Sequence, residues 1–129
     1  MPATTPREVY QQFSVAFNAG DLERVMEFYE PDAALVAQPG EAMAGTEQVR
    51  AALEAFLALN GRVAFDVKDV TQAGDVALTV TSWSLTGGTG ADGQPVTMGG
   101  VSSDVLRCRA GAWRYAIDQP WADQVIAAS

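Results

Sequence analysis

Apolar residues in the first half of the chain recur three and four positions apart, which is the spacing of amphipathic helices. The pattern predicts three helices with N-terminal caps at Thr5, Asp21 and Thr46, because these side chains accept free N–H groups of a first turn. We expect Pro31 to stop the second helix, residues 33–37 to form a short strand, and residues 38–41 to form a loop. The predicted inward stripes are Val9, Phe13, Ala16 and Phe17, then Leu22, Val25, Met26 and Tyr29, then Val49, Leu53, Phe56 and Leu57.

Beyond Gly61 the pattern changes to alternation, which is typical of half-buried strands. Four antiparallel strands in a meander are predicted, the third of them running from Pro95 to Arg109. Gly99 and Gly100 interrupt this strand, and paired glycines predict a bulge or a sharp bend. The remaining tail, residues 121–129, is expected to form a helical turn. Three helices followed by antiparallel strands predict an α+β domain.

Asp104 is the most informative residue, because it lies on the core-like face of the third strand. Alternation puts it on the same face as Ser102, Leu106 and Cys108. A buried carboxylate must be hydrogen-bonded, protonated or next to a cavity. The sequence leaves two readings open: a cavity residue, or a structural aspartate satisfied by Ser102, a tyrosine or a backbone amide.

Asp118 follows on the last strand, where Trp113, Tyr115 and Ile117 alternate with Arg114, Ala116 and Asp118. It is expected to face inward near a cavity mouth, although a strand-end carboxylate that binds turn amides before Pro120 is the slightly favoured alternative. If Asp104 and Asp118 share one cavity, their repulsion should raise one pKa and create an acid–base pair.

Composition excludes several functions. The 129 residues are 48% apolar, carry a net charge of −8, and include one cysteine and no histidine. A chain this acidic is repelled by nucleic acids and anionic membranes, so neither is an expected partner. Histidine metal sites and histidine-activated nucleophiles cannot form. The lone cysteine and the absence of a leader-like N-terminal pattern favour a cytoplasmic protein.

No cofactor is expected either. Residues 88–93 match the glycine pattern of dinucleotide-binding loops, but Pro95 and a strand follow where that motif requires a helix. We interpret the segment as a hairpin loop.

The order of elements, with the segments Phe17–Glu23, Phe28–Ala33 and Gly111–Arg114, resembles the SnoaL-like proteins of the nuclear transport factor 2-like superfamily. This superfamily includes ketosteroid isomerases, polyketide cyclases and limonene epoxide hydrolases. The resemblance implies a single domain over residues 1–129 with a cone-shaped, cystatin-like fold. It further implies helices packed on a curved, mainly antiparallel sheet, a cavity open to solvent, and a homodimer formed through the outer sheet face.

The ketosteroid isomerase site is only partly preserved in this comparison. The position of its oxyanion tyrosine falls on Phe13, and the position of its general base falls on Ala37 or Gln38, neither of which can act as a base. Only the aspartate that stays protonated has a counterpart, Asp104. Steroid isomerisation by that mechanism is therefore not expected. The epoxide hydrolase set of two aspartates and an arginine has the same residue types in Asp104, Arg114 and Asp118, without a positional match.

These observations predict a domain that binds a small apolar organic molecule, with Asp104 and Asp118 as candidate catalytic residues. One alternative is an enzyme of the isomerase, cyclase or hydratase kind that uses Asp104 as an acid or hydrogen-bond donor. Another is a non-catalytic dimerisation module. Tyr10 and Tyr29 could present hydroxyls to the cavity, although packing at the solvent edge is favoured for both. The predicted ligand pocket consists of Phe13, Phe17, Tyr29, Gln38, Phe56, Trp83, Met98 and Trp121.

Overall fold

A computed structural model describes residues 2–128 of the chain and has the predicted α+β architecture. The helices are α1 (Pro6–Asn18), α2 (Leu22–Met26), α3 (Thr46–Leu57) and α4 (Ala122–Ala128). The strands are β1 (Tyr29–Gln38), β2 (Glu41–Ala44), β3 (Arg62–Ala73), β4 (Val76–Thr89), β5 (Pro95–Arg109) and β6 (Ala112–Gln119). Together they confirm three N-terminal helices and a mainly antiparallel sheet.

The six strands form one curved sheet in the order β2-β1-β6-β5-β4-β3. Strands β3 to β6 are the predicted antiparallel meander. Strand β1 pairs with β6 in parallel and with the short strand β2 antiparallel. The parallel pairing inserts the early strand beside the last one, so residues distant in sequence meet on the inner face.

The helix caps agree with the sequence at two of three positions. The Thr5 hydroxyl accepts the Glu8 N–H, and the Asp21 carboxylate accepts the Arg24 N–H. The third prediction was wrong: Gly45 is the N-cap of α3, and the Thr46 hydroxyl donates to the Pro31 carbonyl instead. Gly45 has a φ of 85°, a left-handed conformation that suits glycine better than threonine.

Helix α2 is shorter than predicted, and Tyr29 belongs to β1 rather than to a helix. The loop prediction for residues 38–41 also missed β2, which begins at Glu41. Gly40, with a φ of 82°, turns the chain between β1 and β2. The tail after Pro120 forms α4, in line with the expected helical turn.

The glycine pair of β5 does not interrupt the pairing with β4. Gly99 lies opposite Ser84 and Gly100 opposite Trp83 in an unbroken stretch of register, and the irregularity falls between Leu85 and Gly88 on β4. The two glycines instead allow close approach of other atoms. A Cβ on Gly99 would lie 2.7 Å from the Trp83 carbonyl oxygen, and one on Gly100 would lie 2.8 Å from Asp123 Oδ1.

The inner sheet face and the helices enclose the core. Val9, Phe13 and Phe17 of α1 pack there, as do Val49 and Leu53 of α3. Strand alternation gives β5 the predicted inner face, because Ser102, Asp104 and Leu106 are buried. The helices therefore cover a sheet face that carries a carboxylate as well as apolar side chains.

Candidate functional site

The space between the helices and the inner sheet face is not completely filled. It leaves a cavity of about 70 Å³. Most of its lining is aromatic or aliphatic, and the exceptions gather at one end. The polar lining residues are Ser102, Asp104, Asp118 and the tyrosines Tyr29 and Tyr115.

Asp104 is buried at this polar end with three donors from the protein. Only 1% of its surface is exposed. Its Oδ2 accepts hydrogen bonds from the Tyr10 hydroxyl at 2.6 Å and the Ser102 hydroxyl at 3.0 Å. Its Oδ1 accepts the Gln119 backbone N–H at 3.0 Å. These donors satisfy the carboxylate in its ionised form. Asp104 therefore combines the two interpretations from the sequence, because it lines the cavity and is also held in place by hydrogen bonds.

Asp118 lies directly across the β5–β6 ladder from Asp104. A register shift lets it face inward, because Val105 pairs with Ile117 and the next residue, Leu106, pairs with Tyr115. Ala116 is the extra residue of this bulge, and Ile117 consequently points outward with 45% of its surface exposed. The prediction that Tyr115 and Ile117 lie on the same face was therefore wrong.

The Asp118 side chain is half-buried and accepts a hydrogen bond from the Tyr29 hydroxyl, with 2.6 Å between Oδ2 and the phenol oxygen. The hypothesis that it binds turn amides before Pro120 was wrong, since its partners are Tyr29 and Asp104. Asp118 has one donor where Asp104 has three. The two carboxyl groups are thus neighbours with unequal support for a negative charge.

The unequal number of hydrogen-bond donors decides which carboxyl group of the pair carries a proton. Burial, followed by the charge of Asp104, raises the pKa of Asp118 well above its ordinary value. Burial also raises the pKa of Asp104, but hydrogen bonds from Asp118, Tyr10, the Gln119 N–H and Ser102 act in the opposite direction. We therefore assign the proton to Asp118, whose carboxylic acid O–H donates a hydrogen bond to the ionised Asp104.

Tyr10 and Tyr29 donate hydrogen bonds to the two aspartates, which the sequence interpretation did not foresee. Packing of both hydroxyls at the solvent edge was the favoured prediction, whereas 2% of Tyr10 and 6% of Tyr29 is exposed. Tyr29, which was also predicted to line the pocket, lines the cavity. Burial and the nearby aspartates raise the pKa of both phenols, so both remain hydroxyl donors. Tyr10 precedes Phe13 and Phe17 by three and seven positions, a helical stripe that could have revealed its inward orientation.

The eight predicted pocket residues divide between two spaces. Phe13, Phe17, Tyr29, Phe56 and Trp83 line the cavity that holds the aspartates. Gln38, Met98 and Trp121 do not reach it; they line a second, larger depression of about 480 Å³, which also includes Phe56. We name the first space the inner cavity and the second the outer cleft.

The positions carried over from ketosteroid isomerases take other roles. Phe13 lines the inner cavity, but the hydroxyl that reaches Asp104 belongs to Tyr10, one helical turn earlier. Ala37 and Gln38 belong to the outer cleft. Within the part of the chain that the structure describes, no three His, Cys, Asp or Glu residues are grouped so that they could hold a metal ion.

Comparisons with known proteins agree with this architecture. A family model of the SnoaL-like domain matches residues 10–116, and the chain belongs to this family. The matched region includes Tyr10, Tyr29 and Asp104 and ends before Asp118. Curated protein sequences gave no significant match. Among residues 2–128, no helix is long and apolar enough to cross a membrane.

Solved structures share the fold at low sequence identity. A nuclear transport factor 2-like protein of unknown function from Shewanella oneidensis MR-1 is 20% identical with a TM-score of 0.73, covering 87% of this chain and 92% of its own. A ketosteroid isomerase-like protein from Erwinia carotovora atroseptica is 23% identical with a TM-score of 0.69, covering 87% and 88%. A candidate dehydratase from Streptomyces avermitilis is 17% identical with a TM-score of 0.68, covering 88% and 90%. These similarities establish the nuclear transport factor 2-like fold.

Proposed function

We propose that the protein binds a small, uncharged organic molecule in the inner cavity, with a carbonyl or hydroxyl oxygen of the ligand at the Asp104–Asp118 pair. The observation that carries this proposal is the unequal hydrogen bonding of the two carboxyl groups. Asp104 has three donors besides Asp118. The Asp118 proton can therefore turn to a ligand oxygen without leaving Asp104 unpaired.

The surroundings of the pair support an uncharged ligand. An anionic ligand would be repelled by the ionised Asp104 and by a protein with a net charge of −8. The remainder of the cavity lining is mainly aromatic and aliphatic, including Phe13, Phe17 and Leu53. Such walls favour an apolar body, and one polar group at the end sets its orientation.

Short neutral ligands test this proposal. We would titrate the protein with 2-butanone and 1-butanol, following backbone amide signals by NMR. Asp118→Leu should weaken binding about two- to tenfold, the usual contribution of one hydrogen bond. Asp69→Leu, at an exposed aspartate of β3, is the matched control. Binding to neither compound, or equal affinities in the Asp118 variant and the wild-type protein, would contradict the proposal.

A proton-transfer enzyme is the second candidate, since a carboxylic acid and the carboxylate of a second residue lie side by side. The isomerase, cyclase or hydratase alternative assigned the acid to Asp104. The hydrogen bonds favour Asp118 as the donor and Asp104 as the group that can receive the proton. Deuterium exchange into 2-butanone next to its carbonyl, measured in heavy water, tests this function. Loss of exchange in Asp104→Asn would support it, and exchange no faster than in buffer alone would contradict it.

We also propose that two copies associate through the outer sheet face. Leu78, Val105, Ile117 and Ala34 are successive register partners and form an apolar row across β4, β5, β6 and β1. Leu78 is 47% exposed and Ile117 45%. Such a row favours burial against a second apolar surface. Sedimentation should show a dimer that Leu78→Glu dissociates and that Val15→Glu, on the exposed side of α1, leaves intact; a wild-type monomer would contradict this proposal.

A further inference from the structure

The outer cleft lies beside the inner cavity but has a different character. It is several times larger, at about 480 Å³ against about 70 Å³. None of the described residues that line it is charged, and among them two glutamines supply the only polar side chains other than the Trp121 indole N–H. An uncharged, mainly apolar cleft of this volume is in the range of small-molecule sites, whereas the inner cavity is well below it.

The same structural elements build both spaces. Helix α3 contributes Leu53 to the inner cavity, Ala55 to the outer cleft and Phe56 to both. Strand β1 contributes Leu35 to the inner cavity and, two residues later, Ala37 to the outer cleft. Ala52, directly before Leu53, also lines the outer cleft, so the two spaces lie side by side against α3 and share Phe56.

The walls between the spaces differ in how firmly they are held. The Trp121 indole N–H donates to the Ala37 carbonyl at 3.1 Å, and the Trp83 indole N–H donates to the Pro120 carbonyl at 2.7 Å. Their rings meet edge to face with 5.2 Å between the centroids. Phe56 has no polar group to be held in this way and is only half-buried. A rotation of Phe56 is therefore the simplest way to join the two spaces.

We infer that the ligand is an elongated amphipathic molecule, an alcohol or ketone with an unbranched medium-length apolar tail that passes Phe56 into the outer cleft. This inference rests on the proposed function, which places the oxygen of the ligand at Asp118. The inner cavity accommodates the head and a few carbon atoms. The outer cleft provides the volume and the uncharged surface that a tail requires.

A series of 1-alkanols from 1-propanol to 1-decanol tests the inference by measuring affinity against chain length. Each methylene that enters an apolar site should improve affinity about fourfold. The gain should continue beyond the length that fills the inner cavity. In Ala55→Trp, which places a large side chain in the outer cleft, the gain should stop at the short alkanols. Ala51→Trp, one turn earlier at an exposed position of the same helix, should behave like the wild-type protein.

The outcomes separate the inference from the proposed function. If short alkanols bind through Asp118 but the affinity stops rising at that length in the wild-type protein, the inference is wrong and the proposed function stands. If the gain continues equally in Ala55→Trp, the tail lies elsewhere and the inference is again wrong. If no alkanol of any length binds, the proposed function fails and the inference fails with it.

Discussion

Replacing Asp118 by asparagine removes the titrating proton of the pair while keeping its shape. The amide oxygen can accept the Tyr29 hydroxyl, as Oδ2 does at 2.6 Å in the wild-type protein. The amide NH2 group can donate to Asp104 in place of the carboxylic acid. The variant should therefore retain the hydrogen bonds of the pair and lose only its ionisation.

The magnitude follows from the raised pKa of Asp118. The unfolded chain releases this proton as the pH passes about 3.9, whereas the folded protein keeps it to a higher pH. Between these two pKa values the free energy of unfolding of the wild-type protein falls with rising pH, by about 1.4 kcal/mol per unit. Asp118→Asn lacks this loss, so the advantage of the variant over the wild-type protein in free energy of unfolding grows by about 1.4 kcal/mol per pH unit. Above the folded-state pKa of Asp118 this advantage becomes constant.

Urea unfolding followed by tryptophan fluorescence measures the difference at one-unit steps from about pH 5 to pH 8. Asp69→Asn, at an exposed position of β3, controls for the removal of one negative charge. The advantage of Asp118→Asn should rise with pH, and that of Asp69→Asn should stay nearly flat. A difference between Asp118→Asn and the wild-type protein that does not change with pH would refute the assignment of the proton to Asp118.

Three further changes test the surroundings of the pair. Tyr10→Phe should lower the free energy of unfolding at neutral pH by about 1.5–3 kcal/mol, because Asp104 loses a donor to its charge; urea unfolding measures this, and no change would contradict it. Asp104→Asn should lower the pKa of Asp118, because the charge of Asp104 is the largest cause of the raised pKa after burial. The pH range over which the free energy of unfolding falls should therefore become narrower, and an unchanged range would contradict the coupling of the two aspartates. Gly100→Ala should speed hydrogen exchange at the Val101 N–H, which donates to Asp123 at 3.1 Å, because the new Cβ would displace that carboxylate. Unchanged exchange would show that α4 tolerates the methyl group.

Local patterns in the sequence were sufficient for the fold and for the position of Asp104. Alternation along β5 put Asp104 beside Ser102 and Leu106, and all three are buried on one face. The helical stripe of α1 gave the inward positions of Phe13 and Phe17 in the same way. These predictions succeeded because strand and helix periodicity decide which face a side chain occupies.

The sequence named Asp104 and Asp118 as a possible pair, but the bulge and the tyrosine partner that position Asp118 have no local signal in the sequence. The bulge at Ala116 turns Asp118 inward, and neither glycine nor proline marks it in the sequence. The parallel pairing of β1 with β6 brings Tyr29 to Asp118 across 89 positions. Such long-range pairing is not encoded in any single window of residues. The glycine pair of β5 has a clear local signal, but the prediction of a bulge there was wrong. The two glycines allow close packing by Trp83 and Asp123 instead.

We assign a retained proton to Asp118, beside an ionised Asp104 at the polar end of the inner cavity. A 13C NMR titration of the aspartate side-chain carboxyl groups, with Asp118→Asn to identify the signal, tests this assignment most directly. One carboxyl signal should belong to a group that stays protonated well above about pH 3.9, the ordinary pKa of an aspartate side chain. Ionisation of Asp118 near that ordinary pKa would contradict the assignment.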